Sequence, residues 1–192
     1  MGDILERQQA PTRHRLDVGA YYKMAEAGIL TRNDRVELID GEIFDMVPIG
    51  SVHAGKTNRL NWLFARAAAD GLALVSVQGP LRLDAYSEPE PDVMLLKPRA
   101  DHYQSRHPNA ADVLLLVEIS ESSLVHDRGT KLPLYAKFGV PEVWVVDLRG
   151  AAIEVYREPA GDAYAVKERL TSGSLAPVLV PSVTIDLGAL LA

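Results

Sequence analysis

The chain has 192 residues, 47% of them hydrophobic and 24% charged, which is the composition of an ordinary globular protein. It has no cysteine, and no apolar run approaches the ~20 residues that a membrane span needs; disulfides, thiolate metal sites and membrane helices are thereby excluded. The formal net charge of −6 counts mildly against nucleic-acid binding, because contacts to phosphate need lysine and arginine.

The first half of the chain predicts an arm, two helices and several short strands. Residues 1–15 are polar and contain no apolar core of a secretory signal, so we expect a flexible N-terminal arm, a single domain over 16–192 and a cytoplasmic location. Asp40-Gly41 between two apolar runs predicts a hairpin. The predicted helices cover 16–28 and 51–70, and the predicted strands cover 35–39, 42–47, 72–77, 81–83 and 92–97.

The second half predicts one strand–helix–strand crossover followed by antiparallel strands. Residues 112–120 are nearly all apolar, which is typical of a central strand buried on both faces. A helix over about 128–138 follows, with Asp127 as its N-cap and Pro133 in its first turn. The remaining predicted strands cover 142–148, 152–156 and 163–169, and 178–187 is a terminal extended segment. The order predicts an α/β fold with a mixed sheet flanked by helices.

Two acidic residues on neighbouring predicted strands carry the chemistry. Asp92 opens one strand, and Glu118 lies near the end of the most apolar strand in the chain. Because burying a carboxylate without a partner is costly, Glu118 needs a metal ion, a lysine or a hydrogen-bond donor nearby. The alternative is that Glu118 emerges at the strand end and is solvated. Spacing alone leaves both interpretations open.

Six segments, in chain order, carry a resemblance that goes beyond this pair. They are VELIDGE at 36–42, QGPLRL at 78–83, EPDV at 90–93, VEISESS at 117–123, DRGTKLPLYA at 127–136 and VPEVWVVD at 140–147. Together they resemble the Uma-two family of restriction endonucleases, within the PD-(D/E)xK nuclease superfamily. The resemblance runs from about residue 16 to residue 187 and implies a restriction-endonuclease-like fold.

The resemblance also implies a catalytic set for metal-dependent hydrolysis of phosphodiester bonds. Asp92, Glu118 and the backbone carbonyl of Ile119 would hold Mg²⁺, with Mn²⁺ as a possible substitute. Ser120 stands where the superfamily carries its lysine, and Lys131 on the following helix matches the lysine of this family. Glu37, on the first hairpin strand, would complete the acidic cluster or orient the attacking water; its alternative is an exposed strand position.

Several further residues and a second functional class stay open. His53 at the start of the second helix could approach the acids, Tyr135 could line the pocket or pack, and Arg128 could contact a phosphate. Trp62 and Trp144 are typical of a core or of an interface, and an enzyme that cuts both strands of DNA would pair as a homodimer. The alternative to a DNA nuclease is a catalytically inactive module of the same fold that binds nucleic acid or protein.

Overall fold

The computed structural model describes residues 12–31 and 33–192. Most of the predicted N-terminal arm, residues 1–11, lies outside these residues. Within the described part of the arm, Arg15 hydrogen-bonds to the backbone carbonyl of Asp40. No helix in the described ranges has the length and apolar character needed to cross a bilayer.

A six-stranded mixed sheet forms the centre of the fold. Its strand order is β3-β4-β5-β6-β7-β8, in which β5 and β6 are parallel and every other neighbouring pair is antiparallel. The strands are β3 (Leu74–Val77), β4 (Val93–Leu96), β5 (Val113–Ser120), β6 (Glu142–Asp147), β7 (Ala152–Ala160) and β8 (Ala163–Leu170). The predicted fold class is therefore correct, as is the antiparallel pair at its end.

Helices cover both faces of this sheet and produce two apolar cores. The helices are α1 (Val18–Glu26), α2 (Ser51–Ala69), α3 (Leu124–His126), α4 (Leu132–Lys137) and α5 (Leu187–Leu191). Leu60 and Phe64 of α2 pack on one face of the sheet, whereas Tyr135 of α4 packs on the other. All eight residues of β5 are buried, because alternate side chains enter each core in turn. This explains the uninterrupted apolar run that marks β5 in the sequence.

A separate hairpin brings Glu37 to the edge of the sheet. It joins β1 (Val36–Ile39) to β2 (Glu42–Asp45) through Asp40 and Gly41, which both have positive φ, 51° and 81°. Two positive φ angles are what the shortest hairpin turns require, and Asp-Gly satisfies them. An isolated antiparallel bridge joins Leu38 to Glu88, so that β1 lies against the segment leading into Asp92.

The helix after β5 begins earlier than the sequence predicts and contains a π turn. Its helical conformation starts at α3, passes through a π-helical turn at Asp127–Lys131 and continues as α4. Asp127 therefore lies inside the helix, and its prediction as the N-cap is wrong; Ser123 takes that position. Pro133 lies in the first turn of α4 as predicted. Proline has no N–H, so Pro133 cannot donate to the carbonyl four residues earlier, and the α-helical hydrogen-bond pattern is weakened here. The N–H of Leu132 bonds to the Asp127 carbonyl, five residues earlier, which is the π-helical pattern.

Two smaller predictions need correction, and the two alternatives for the tryptophans are decided. Residues 81–83 form no strand, and 178–187 is extended only in part, since it ends in the short strand β10 (Ile185–Asp186), which pairs with β9 (Ser174–Leu175). The helix α5 follows, capped by the Asp186 side chain, which accepts from the Ala189 N–H. Trp144 is completely buried and therefore belongs to the core rather than to an interface, whereas Trp62 on α2 is 71% exposed.

Candidate active site

Lys131 joins two buried carboxylates that come from different parts of the fold. Its Nζ atom lies 2.9 Å from Oε1 of Glu118 on β5 and 3.1 Å from Oε2 of Glu37 on β1. The three side chains are each between 5% and 6% exposed. The hydroxyl of Tyr135, one helical turn after Lys131, donates to the same Oε1 of Glu118 at 2.6 Å. The sequence-predicted Glu37, Glu118 and Lys131 therefore meet, and Glu37 is not an exposed strand residue.

Burial and charge change the acidity of these groups in opposite directions. Burial, reinforced by the charges of Asp127 and Asp92, raises the pKa of Glu118 to about 8, although Lys131 and Tyr135 oppose the rise. For Glu37, burial is outweighed by His126 and Lys131, and its pKa falls below the ordinary value. His126 Nε2 lies 3.7 Å from Glu37 Oε1, an ion-pair rather than a hydrogen-bond distance. Although burial opposes it, the charges of Glu118 and Glu37 raise the pKa of Lys131, so the lysine remains an ammonium.

Asp92 sits immediately before β4 and is held by three donors. Its Oδ2 accepts from the backbone N–H of Ile119 at 2.8 Å and lies 3.1 Å from Nε2 of His53 on α2. Its Oδ1 has a long contact of 3.4 Å with the Gln78 amide. The hydrogen bond to Asp92 raises the pKa of His53, and Nδ1 of the same ring is buried without a partner among the described residues. The predicted approach of His53 to the acids is therefore present.

These side chains share one open cavity of about 280 Å³. The segment between β2 and α2, residues 46–50, and the segment between β5 and α3, residues 121–123, both line it. Asp92, Glu118, Ile119, Glu37 and Lys131 all line it. Every residue that the sequence marks as catalytic or metal-binding thus faces the same space.

The oxygens that remain unused suit a magnesium ion. Glu118 Oε1 accepts from both Lys131 and Tyr135, whereas no donor among the described residues reaches its Oε2. Asp92 likewise has a well-bonded Oδ2 and an Oδ1 with only the long Gln78 contact. No group of three or more His, Asp or Glu side chains in the described ranges is arranged to hold a metal ion. Magnesium usually takes one or two carboxylates and fills its remaining positions with water and substrate phosphate, so this pair fits it.

Sequence reasoning missed the role of a fourth acid beside Asp92, Glu118 and Glu37. Asp127 is buried, and its Oδ2 accepts hydroxyl hydrogen bonds from Ser120 at 2.5 Å and from Ser123 at 2.6 Å. Ser120 lies two residues after Glu118 on the same strand, so both side chains point to the same face. The serine in the place of the superfamily's lysine therefore bonds to the helix that carries Lys131. The one feature of the sequence that could have indicated this contact is the hydroxyl of Ser120.

The mixed sheet, with an acid at the beginning of β4, an acid near the end of β5 and a lysine between carboxylates, defines a protein of the restriction-endonuclease-like fold. A family model described as "Putative restriction endonuclease" matches residues 18–188, and the chain belongs to this family, Uma2. A crystal structure from Anabaena variabilis ATCC 29413, described as "a putative nuclease belonging to DUF820", is similar with a TM-score of 0.70. It shares 13% sequence identity over 92% of this chain and 97% of its own, which shows a common fold. No curated protein matches the sequence.

Proposed function

We propose that this protein is a magnesium-dependent endonuclease that hydrolyses phosphodiester bonds in nucleic acid, with DNA as the substrate. The observation that carries the proposal is the meeting of Asp92, Glu118 and Lys131 in one cavity. The family's description as a restriction endonuclease is consistent with that chemistry. Manganese is the expected substitute metal.

Glu118 would hold the metal through Oε2, which no donor among the described residues reaches, and Asp92 through Oδ1, which has only the long contact with Gln78. The Ile119 carbonyl would add a third ligand. Once bound, the ion would supply Lewis-acid polarisation of the scissile phosphate. The Ile119 N–H and His53 fix the Asp92 carboxylate, because both bond to its Oδ2. Tyr135 and Lys131 do the same for Glu118 through its Oε1. The chain therefore orients both acids before any metal arrives.

Lys131 has a donor left for the reaction. An ammonium group has three N–H donors, and two of them point to Glu37 and Glu118. The third can stabilise the negative charge that develops on the phosphate oxygens, as a fixed donor in a water-poor site does most effectively. Glu37, ionised because Lys131 and His126 hold its pKa low, can accept a hydrogen bond from the attacking water and orient it.

Cleavage of supercoiled plasmid DNA tests the proposal. The wild-type chain is expected to nick or linearise the plasmid with Mg²⁺ or Mn²⁺ and to stop when the metal is chelated. Asp92→Ala should abolish cleavage, whereas Asp70→Asn, at an exposed acid beyond the end of α2, should leave it unchanged. Cleavage that survives Asp92→Ala would come from another site or from a contaminating nuclease and would refute the assignment.

A second candidate is an inactive module of the same fold that binds nucleic acid or protein, and the net charge of −6, which counts against contacts to phosphate, favours protein as its partner. Such a module would retard labelled DNA in a gel without cutting it, with or without metal. Light scattering of the same preparation tests the expected homodimer, to which the buried Trp144 cannot contribute.

A further inference from the structure

The π turn that carries Lys131 also carries an arginine with a buried partner of its own. Arg128 donates through Nε and Nη2 to the two carboxylate oxygens of Glu154 on β7, both at 2.8 Å. Glu154 is 3% exposed and also accepts from the Tyr156 hydroxyl at 2.7 Å. This is a bidentate arginine–carboxylate pair, the geometry in which an ion pair is most directional. Arg128 is therefore engaged with the sheet, and the phosphate contact considered for it has no support.

Strand register places the partner of Arg128 in line with the partner of Lys131. Glu118 on β5 is opposite Val145 on β6, and Val145 is opposite Glu154 on β7. Residues paired in this way point to the same face, so Glu118 and Glu154 lie in one row across the sheet, about 10 Å apart. Two cations from one helical turn, three positions apart, thus bind two buried acids in that row. These two ion pairs hold the turn to the sheet together with the Ser120–Asp127 hydrogen bond.

A π turn needs such support more than an α-helix does. Its hydrogen-bonding is irregular, and the Leu132 N–H bonds five residues back to Asp127. The ammonium group of Lys131, the last residue of this turn, lies between Glu37 and Glu118. The long side chain has many alternative rotamers, so its length alone does not select the observed rotamer.

We propose that Arg128 and Glu154 form a positioning pair that sets the π turn against the sheet and thereby fixes the Lys131 ammonium between Glu37 and Glu118. Arg128 is a positioning residue, since its charged partners among the described residues are Glu154 and Asp147 and not the proposed metal ligands. The proposal rests on the proposed function for its effect on catalysis, but the placement of Lys131 is measurable without any reaction.

The chain contains a matched control for this pair. Arg157 on β7 lies 2.9 Å from Glu142 on β6, again a half-buried arginine with a buried glutamate, and it shares β7 with Glu154. Glu142 begins β6, whereas Val145, in line with Glu118, lies three residues further along. Removing either arginine leaves a buried carboxylate without its cationic partner, and the two substitutions are expected to destabilise the fold to a similar degree. Of these two pairs, only Arg128–Glu154 includes a residue of the turn that carries Lys131.

The experiment compares Arg128→Ala with Arg157→Ala in steady-state cleavage of a DNA oligonucleotide. A displacement of a catalytic group by about 1 Å can cost about 100-fold in rate, so kcat should fall by about 10- to 100-fold in Arg128→Ala, with KM within about twofold. Arg157→Ala should retain kcat within about twofold. Glu154→Gln should lower kcat as Arg128→Ala does, and combining the two should add little, since they break one interaction. Arg128→Lys should recover activity in part, because lysine restores the charge without the bidentate geometry.

A second readout follows Lys131 directly by ¹³C NMR of protein with labelled lysine, with the Lys131 signal assigned by Lys131→Met. In the wild type and in Arg157→Ala this signal should have the same chemical shift and line width, those of a buried ammonium held between Glu37 and Glu118. In Arg128→Ala it should shift or broaden. An unchanged Lys131 signal in folded Arg128→Ala, or an equal loss of kcat in both arginine variants, would overturn the positioning role. If the wild type cleaves no nucleic acid, the proposed function fails, and the NMR comparison still decides the placement of Lys131.

Discussion

Replacing Lys131 with methionine tests whether its ammonium is what allows Glu37 to remain ionised inside the protein. Nζ lies 3.1 Å from Glu37 Oε2, and both side chains are 6% exposed or less. Methionine keeps the apolar stem of lysine but removes the charge. Removing one partner of a buried ion pair typically lowers the free energy of unfolding by about 3–5 kcal/mol, because the remaining ion is left buried without a counter-charge.

The sign of the pH dependence follows from Glu37. In the wild type its pKa is held below the ordinary value, so the ionised carboxylate favours folding at neutral pH. Without Lys131, burial of Glu37 is opposed only by His126 and the Glu90 N–H, and we expect its folded-state pKa to rise above the unfolded one, about 4.3. Stability is then lost progressively as the pH rises from there towards the new folded value. The loss is about 1.4 kcal/mol per pH unit, which is up to about 4 kcal/mol between about pH 5 and about pH 8. Glu118, with a pKa of about 8, is protonated over most of this range in the wild type and begins to ionise only near its upper end. Loss of Lys131 removes a charge that lowers this pKa, so Glu118 adds little to the difference between the two proteins below about pH 7.

Urea unfolding of wild type and Lys131→Met at both pH values measures this directly. The cost of the substitution should be several kcal/mol larger at the higher pH. Adding Glu37→Gln to Lys131→Met should remove that increase, since no ionisable acid then remains at position 37. Lys137→Met, at an exposed position on the same helix, should show no pH-dependent cost. An equal cost of Lys131→Met at the two pH values would refute the reasoning.

Two further predictions concern the metal and the core. Because Glu118 must lose its proton to act as a ligand, Mn²⁺ affinity should rise about tenfold per pH unit up to about pH 8 and level off above it; calorimetry in two buffers should detect about one proton released per ion near pH 7. An affinity that is flat between pH 6 and 8 would show that Glu118 is already ionised or binds no metal. Trp144→Ala should cost about 3–5 kcal/mol in urea unfolding, because the side chain is completely buried, whereas Trp62→Ala, at an exposed surface position, should stay within about 0.5 kcal/mol. Similar costs at the two positions would contradict this description of the core.

The local sequence determined the central strand and the hairpin, and the family resemblance supplied the candidate acids. The apolar run of β5 can be satisfied only by burial on both faces, and Asp40-Gly41 has few alternatives to a tight turn, so both were readable without coordinates. The strong apolar context of Glu118 also predicted that it would need a partner. What failed were the features that depend on competition between weak local signals, namely the start of the helix before Lys131 and the C-terminal helix α5.

Tertiary structure alone decided how the partners are shared. Glu118 could have met a metal, a lysine or a hydroxyl, and the folded chain supplies Lys131 and Tyr135 on one oxygen while it leaves the other unused. Arg128 is 26 positions from Glu154, and Asp127 is 7 positions from Ser120, so the sequence pattern predicts neither contact. The apolar pattern of the sequence around a residue such as Glu118 indicates that it is buried. Which charge it meets there depends on strand register and on the placement of a helix, and these are set by the packing of the whole domain.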